Sequence, residues 1–63
     1  MENGTVKFYN EAKGYGFILD DTTGKDVFVH HTGLIDKIRN DDRVVFEIAE
    51  DQKGTKAVNV RKG

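Results

Sequence analysis

The chain has 63 residues, a net charge of −1, and no cysteine, proline or tryptophan. A chain this short is expected to form one domain, residues 1–63, with a small core, because about 60 residues bury only about 60% of their unfolded surface. The missing cysteine excludes disulfides and thiolate metal sites, the near-neutral charge excludes capture of nucleic acid by bulk charge alone, and no apolar run approaches the roughly 18 residues of a membrane span.

Taken in chain order, the elements are short β-like runs broken by turn residues. GTVKFYN (4–10) reads as the first strand and is closed by EAKG (11–14). YGFILD (15–20) is the second. DTTGKD (21–26) reads as a hairpin loop in which Gly24 is free to take positive φ. VFVH (27–30) is the third strand. In the following segment, Leu34, Ile35 and Ile38 are spaced for one helical turn, with Thr32 as its cap. RVVFEIA (43–49) is the fourth strand, DQKG (51–54) its turn, and TKAVNVRK (55–62) the fifth. No segment sustains a 3.6-residue period. The expected fold class is all-β, a five-stranded antiparallel barrel, which limits exposed strand edges.

Alternation with period 2 sorts these strands into faces. Val6, Ile18, Val27, Val29, Val44, Phe46, Ile48 and Val60 form the expected core. Tyr15, Phe17, Phe28 and His30 have no place in it. If the second and third strands pair through the 21–26 loop, these four rings lie side by side on one outer face. A nucleobase can stack on such rings whatever its identity. Gly14 and Gly16 allow sharp curvature and close approach of a strand or ligand. Lys7 and Lys13 flank the rings and can meet phosphates. Phe8 is the ambiguous ring. Strict alternation sends it inward with Val6, whereas a bulge in a curling strand re-aims it outward.

KGYGFI (13–18) and VFVHH (27–31) resemble the two ribonucleoprotein motifs of the bacterial cold-shock proteins, and GTVKFYN and KGTKAVNV (53–60) resemble that family's first and last strands. The resemblance implies an oligonucleotide/oligosaccharide-binding barrel that holds single-stranded RNA or DNA, with a role as an RNA chaperone. Position by position, it implies nucleic-acid contacts at Lys7, Phe8, Lys13, Tyr15, Phe17, Phe28 and His30. The chain also departs from the family, which usually carries tryptophan at position 8, phenylalanine at 9 and an aromatic at 31, where Phe8, Tyr9 and His31 stand. The family's loop before the fourth strand is longer and bears a further aromatic, so a short binding site is expected here. No cofactor and no metal are expected. The expected partner is single-stranded nucleic acid, with no membrane association, a cytoplasmic location and a monomer as the default state.

Other readings compete. An RNA-recognition-motif domain would also explain KGYGFI, but it needs two helices and has its second motif upstream of the first. The adjacent histidines His30 and His31, if both lie in a strand, point to opposite faces and cannot share a metal. The Asp pairs at 20–21 and 41–42 lack the spacing of a calcium loop and read as turn residues. A nuclease built on His30 and Asp26 is conceivable from residue types alone, but so small a barrel offers little concavity. A protein-interaction module using the same aromatic face is the alternative of a different class.

Overall fold

The computed structural model describes residues 1–52 and 54–63, with Asp51 described by its backbone alone. The five strands are β1 (Glu2–Asn10), β2 (Tyr15–Asp20), β3 (Asp26–His30), β4 (Arg43–Asp51) and β5 (Gly54–Lys62), with a 3-10 turn at His31–Gly33. They close into a barrel in the order β1-β2-β3-β5-β4. Neighbours run antiparallel except β3 and β5, which meet in parallel at Phe28 and Lys56 and at Val29 and Ala57. The expected turn at 51–54 includes Lys53, which lies outside the described residues.

The barrel is filled by Val6, Ile18, Val27, Val29, Ile38, Val44, Phe46, Ala57 and Val60, each no more than 6% exposed. Alternation therefore sorted most of the core correctly. Ile48 departs from expectation at 39% exposed. Its phase along β4 is inward, but there the strand has run past the barrel's closed section. Ile48 lines an open groove with Glu2, Val27 and Thr55.

β1 carries the feature that shapes the outer face. Val6 pairs with Ile18 and Phe8 with Phe17, so Lys7 is an extra residue bulged out of the ladder. On its other edge β1 pairs with β4 only as far as Thr5 opposite Arg43. The 40–42 loop then takes over. Val6 N–H donates to Asp42 O at 2.9 Å, Asp41 N–H donates to Val6 O at 2.8 Å, and Tyr9 N–H donates to Asn40 Oδ1 at 2.8 Å. The bulge leaves Val6 inside, turns Phe8 outward and packs Tyr9 against the core.

Gly16 makes this bulged pairing possible. A Cβ at Gly16 would strike Phe8 O and lie 2.7 Å from Tyr9 Cα, both backbone atoms of the neighbouring strand. The glycine thus serves strand-to-strand approach. Gly16→Ala is expected to lower stability by about 1–3 kcal/mol, the usual cost of overpacking, because backbone cannot rotate aside. A urea midpoint unchanged from wild type would show that β1 can shift without loss.

The β2–β3 loop forms as its residues demand. Asp20 is buried and its Oδ1 accepts the Thr22 N–H at 2.8 Å. Gly24 sits at φ 71° and donates its N–H to Asp20 O at 2.8 Å. On the outside of this corner, Arg43 donates to Thr5 Oγ1 at 2.8 Å and pairs with Asp21 at 2.7 Å. The hydrogen bond and charge of Asp21 raise the Arg43 pKa above its ordinary value.

The helical turn expected over 34–38 does not form. A single 3-10 turn occupies His31–Gly33, capped by His30 rather than Thr32. Leu34 is then extended and bridges Val60, and Ile35 N–H donates to Val60 O at 2.8 Å. The free backbone groups of β5 outcompete a one-turn helix, which is costly to nucleate. Ile38 drops into the core from this loop at 1% exposed.

Candidate nucleic-acid interface

The register of three strands assembles the outer face. Across β2 and β3, Tyr15 stands opposite His30, Phe17 opposite Phe28, and Leu19 opposite Asp26. On the other side of β2, the bulge sets Phe8 opposite Phe17. The ring centroids of Phe8 and Phe17 are 5.5 Å apart, and those of Phe17 and Phe28 are 5.9 Å apart. Phe8 meets Tyr15 at 6.4 Å, edge to face, and Tyr15 lies 6.1 Å from Phe28 with planes 26° apart. Phe8 is 41% exposed, and the other three rings are half-buried with one side open. Neighbouring rings at these distances hold each other in place, each pair contributing about 0.5–1.5 kcal/mol. The result is a stiff apolar surface that faces water, with no lid among the described residues.

His30 extends this surface beside Tyr15. Its Nδ1 lies 2.9 Å from Thr32 Oγ1 and accepts the Thr32 N–H at 3.4 Å, which fixes the ring's orientation. His31 does not point away, contrary to the expectation for adjacent strand residues. β3 ends at His30 and the chain turns, so the two imidazoles lie 4.2 Å apart with planes tilted by 40°. His31 N–H donates to Gly14 O at 2.8 Å, and the His31 ring covers Gly14, where an added Cβ would lie 2.6 Å from Cδ2. Gly14, at φ 75°, is therefore needed both for the turn and for the ring above it.

The cations are placed unequally. Lys7 Nζ lies 3.3 Å from Asp26 Oδ2, bridging outward across β2, and both side chains are about half exposed. A phosphate at Lys7 must compete with Asp26, but an exposed pair of this kind is worth only about 0–1 kcal/mol. Lys13 is exposed on the β1–β2 turn. Lys56, outside the set that the resemblance implies, lies opposite Phe28 on β5 and borders the rings. Only the order of strands in the barrel brings it there, and no local signal announces that order. Among the described residues, no three His, Asp or Glu side chains gather closely enough to hold a metal ion.

A closed five-stranded barrel of this order, with an open sheet of rings across β1, β2 and β3, defines the class: an oligonucleotide/oligosaccharide-binding fold. The chain belongs to the "cold-shock" DNA-binding domain family, whose model matches residues 2–63. It is 43% identical over 65 residues to a cold shock-like protein of Stigmatella aurantiaca, covering 97% of this chain and 96% of that one. It is 44% identical over 62 residues to a cold shock-like protein of Aquifex aeolicus (92% and 89% covered). It is 42% identical over 66 residues to the major cold shock protein of Micrococcus luteus (98% of both covered). Among solved structures, drosophila Unr CSD456 superposes with a TM-score of 0.82 at 25% identity. The match covers 98% of this chain and 26% of that one.

Proposed function

We propose that the ring-bearing face binds single-stranded RNA or DNA by stacking, without catalysis and without a cofactor, and that the protein acts as an RNA chaperone in the cytoplasm. The observation that carries this reading is the contiguous set of four mutually packed, water-facing rings, Phe8, Tyr15, Phe17 and Phe28, on a barrel of the cold-shock family. Phe8, Tyr15, Phe17, Phe28 and His30 stack or border bases. Lys7 and Lys13, joined by Lys56 at the β5 edge, meet the backbone phosphates. A chaperone must release strands as well as hold them, and stacking without base-edge pairing suits repeated release.

Titrating a short oligothymidine while following tyrosine fluorescence tests the reading. Quenching without cleavage supports it. Cleavage points to an enzyme, and no response points to a protein-interaction surface made of the same rings.

Salt dependence divides the affinity between rings and charge. Single-strand affinity falls with log salt at a slope of about −0.7 per phosphate neutralised. With Lys7, Lys13 and one of Lys56 or Lys25 engaged, the expected slope is roughly −1.5 to −3. A slope steeper than about −5 would show that phosphate contacts dominate and the rings are secondary.

A further inference from the structure

An open groove lies at the end of the barrel where β1, β3 and β5 begin and β2 and β4 finish. We infer that this groove docks an extended, basic protein segment, whose aliphatic side chains seat on Ile48 and Val27 while its lysines or arginines meet Glu2, Asp26 and Glu50. The inference stands apart from the nucleic-acid reading, because none of the four packed rings lines the groove.

Three observations carry it. The first is the floor. Ile48 shares the inward phase of Phe46 along β4, yet it is left in water beside Val27, in a groove of about 350 Å³. That volume falls within the roughly 300–1,000 Å³ of ligand sites. The second is the pair of strand edges above the floor. Among the described residues, β3 and β5 pair at Phe28 with Lys56 and at Val29 with Ala57, and before those pairs they part. Asp26 and Val27 then line the groove on one strand and Thr55 on the other. At parted edges of this kind an extended peptide adds as a strand, with main-chain hydrogen bonds for affinity and alternate side chains for specificity. The third is charge. Glu2, Asp20 and Asp26 line the groove against Lys25. Glu50, opposite Thr55 and two residues beyond Ile48 on the same strand face, continues the acidic rim. Glu2 and Glu50 form no ion pair among the described residues.

These charges select the occupant. A nucleic-acid strand is repelled, since its phosphates would face carboxylates. A symmetric dimer through this end would set the same acidic rim against itself, because an isologous interface brings one patch onto its own copy. A cationic extended segment fits all three features. Its side chains alternate, so one row can sit on Ile48 and Val27 while the other reaches the carboxylates at the rim. Asp26 is engaged by Lys7 at 3.3 Å, but both side chains are about half exposed, and such a pair exchanges for another cation at little cost. Docking at this end leaves the rings open, so the barrel can hold a strand and a basic segment together.

The test titrates the blocked peptide acetyl-Lys-Val-Lys-Val-Lys-amide into isotope-labelled protein at low salt and follows the backbone amide resonances. Saturable shifts are expected at Glu2, Asp26, Val27, Ile48 and Thr55, with Phe8 and Tyr15 unmoved. Ile48→Ser removes the floor and should weaken the peptide roughly five- to tenfold, the worth of a partly exposed aliphatic side chain. Glu2→Gln combined with Glu50→Gln removes charge without touching the floor, and should weaken it about three- to tenfold, as two exposed ion pairs do. Urea midpoints check that each variant folds, and the charge variant keeps the test decisive if Ile48→Ser does not. Oligothymidine affinity should be unchanged by Ile48→Ser, and failure of wild type to bind oligothymidine would sink the nucleic-acid reading while leaving the peptide result standing. Absence of shifts at millimolar peptide would overturn the docking site. So would shifts confined to the rings, or equal binding of a peptide with glutamate in place of lysine. Shifts of the groove resonances on dilution of the protein alone would assign the groove to a second copy and overturn it as well.

Discussion

Phe46→Ala is expected to lose about 3–5 kcal/mol of folding stability, the cost of removing a buried aromatic and leaving a cavity. Phe46 is fully buried and is the largest side chain in the core. The core around it is small, with valine and isoleucine making up most of the rest, so little can move in to fill the space. A domain of this size holds only a few kcal/mol in reserve. The variant should therefore be largely unfolded at 25 °C, with a far-UV spectrum lacking the β signal and no cooperative urea transition. Retention of a cooperative transition near the wild-type midpoint would show that the barrel collapses around the void.

Phe17→Ala and Phe28→Ala should produce the complementary result. Each is expected to weaken binding of a short single strand by about 1–3 kcal/mol, one lost stack, or roughly five- to 150-fold in dissociation constant. Phe17 stands between Phe8 and Phe28 in the register of β1, β2 and β3, and both Phe17 and Phe28 belong to the closed set of four touching rings, so a strand crossing the face meets them. Both keep one side in water, and their loss opens no internal cavity. Stability should therefore fall far less than in Phe46→Ala. Isothermal titration paired with urea denaturation separates the two effects. Equal destabilisation of all three variants would mean that Phe17 and Phe28 are core residues and the platform is a packing layer. Unchanged binding in both would mean that the ligand lies elsewhere.

Most of the strands and most of the core were legible from residue order because both follow from local chemistry. A strand's side chains alternate whatever it pairs with, so Ile18, Val27, Val29, Val44 and Phe46 could be sent inward and Tyr15, Phe17, Phe28 and His30 outward without knowing the barrel. Gly24 likewise marked its hairpin, since the positive φ it adopts is a property of the residue. Phe8 stood at the limit. Its two neighbours in alternation gave one answer, and only the bulge at Lys7, held open by hydrogen bonds from residues 40–42, gave the other.

What the tertiary structure alone decided are the contacts between residues distant in the chain. Leu34 chose an extended path because β5 offered unpaired backbone at Val60, a partner that no local spacing reveals. Ile48 kept its inward phase yet stayed exposed, because burial depends on where the opposite wall ends. Lys56 came to border Phe28 through the parallel meeting of β3 with β5, which no run of residues encodes by itself. His31 joined His30 because β3 stops at His30 and Gly14 leaves room beneath the His31 ring. Alternation, turn preference and ring content are properties of the residues and their immediate neighbours. Register, closure and the partner of each exposed edge are decided when the whole barrel competes for the same backbone hydrogen bonds.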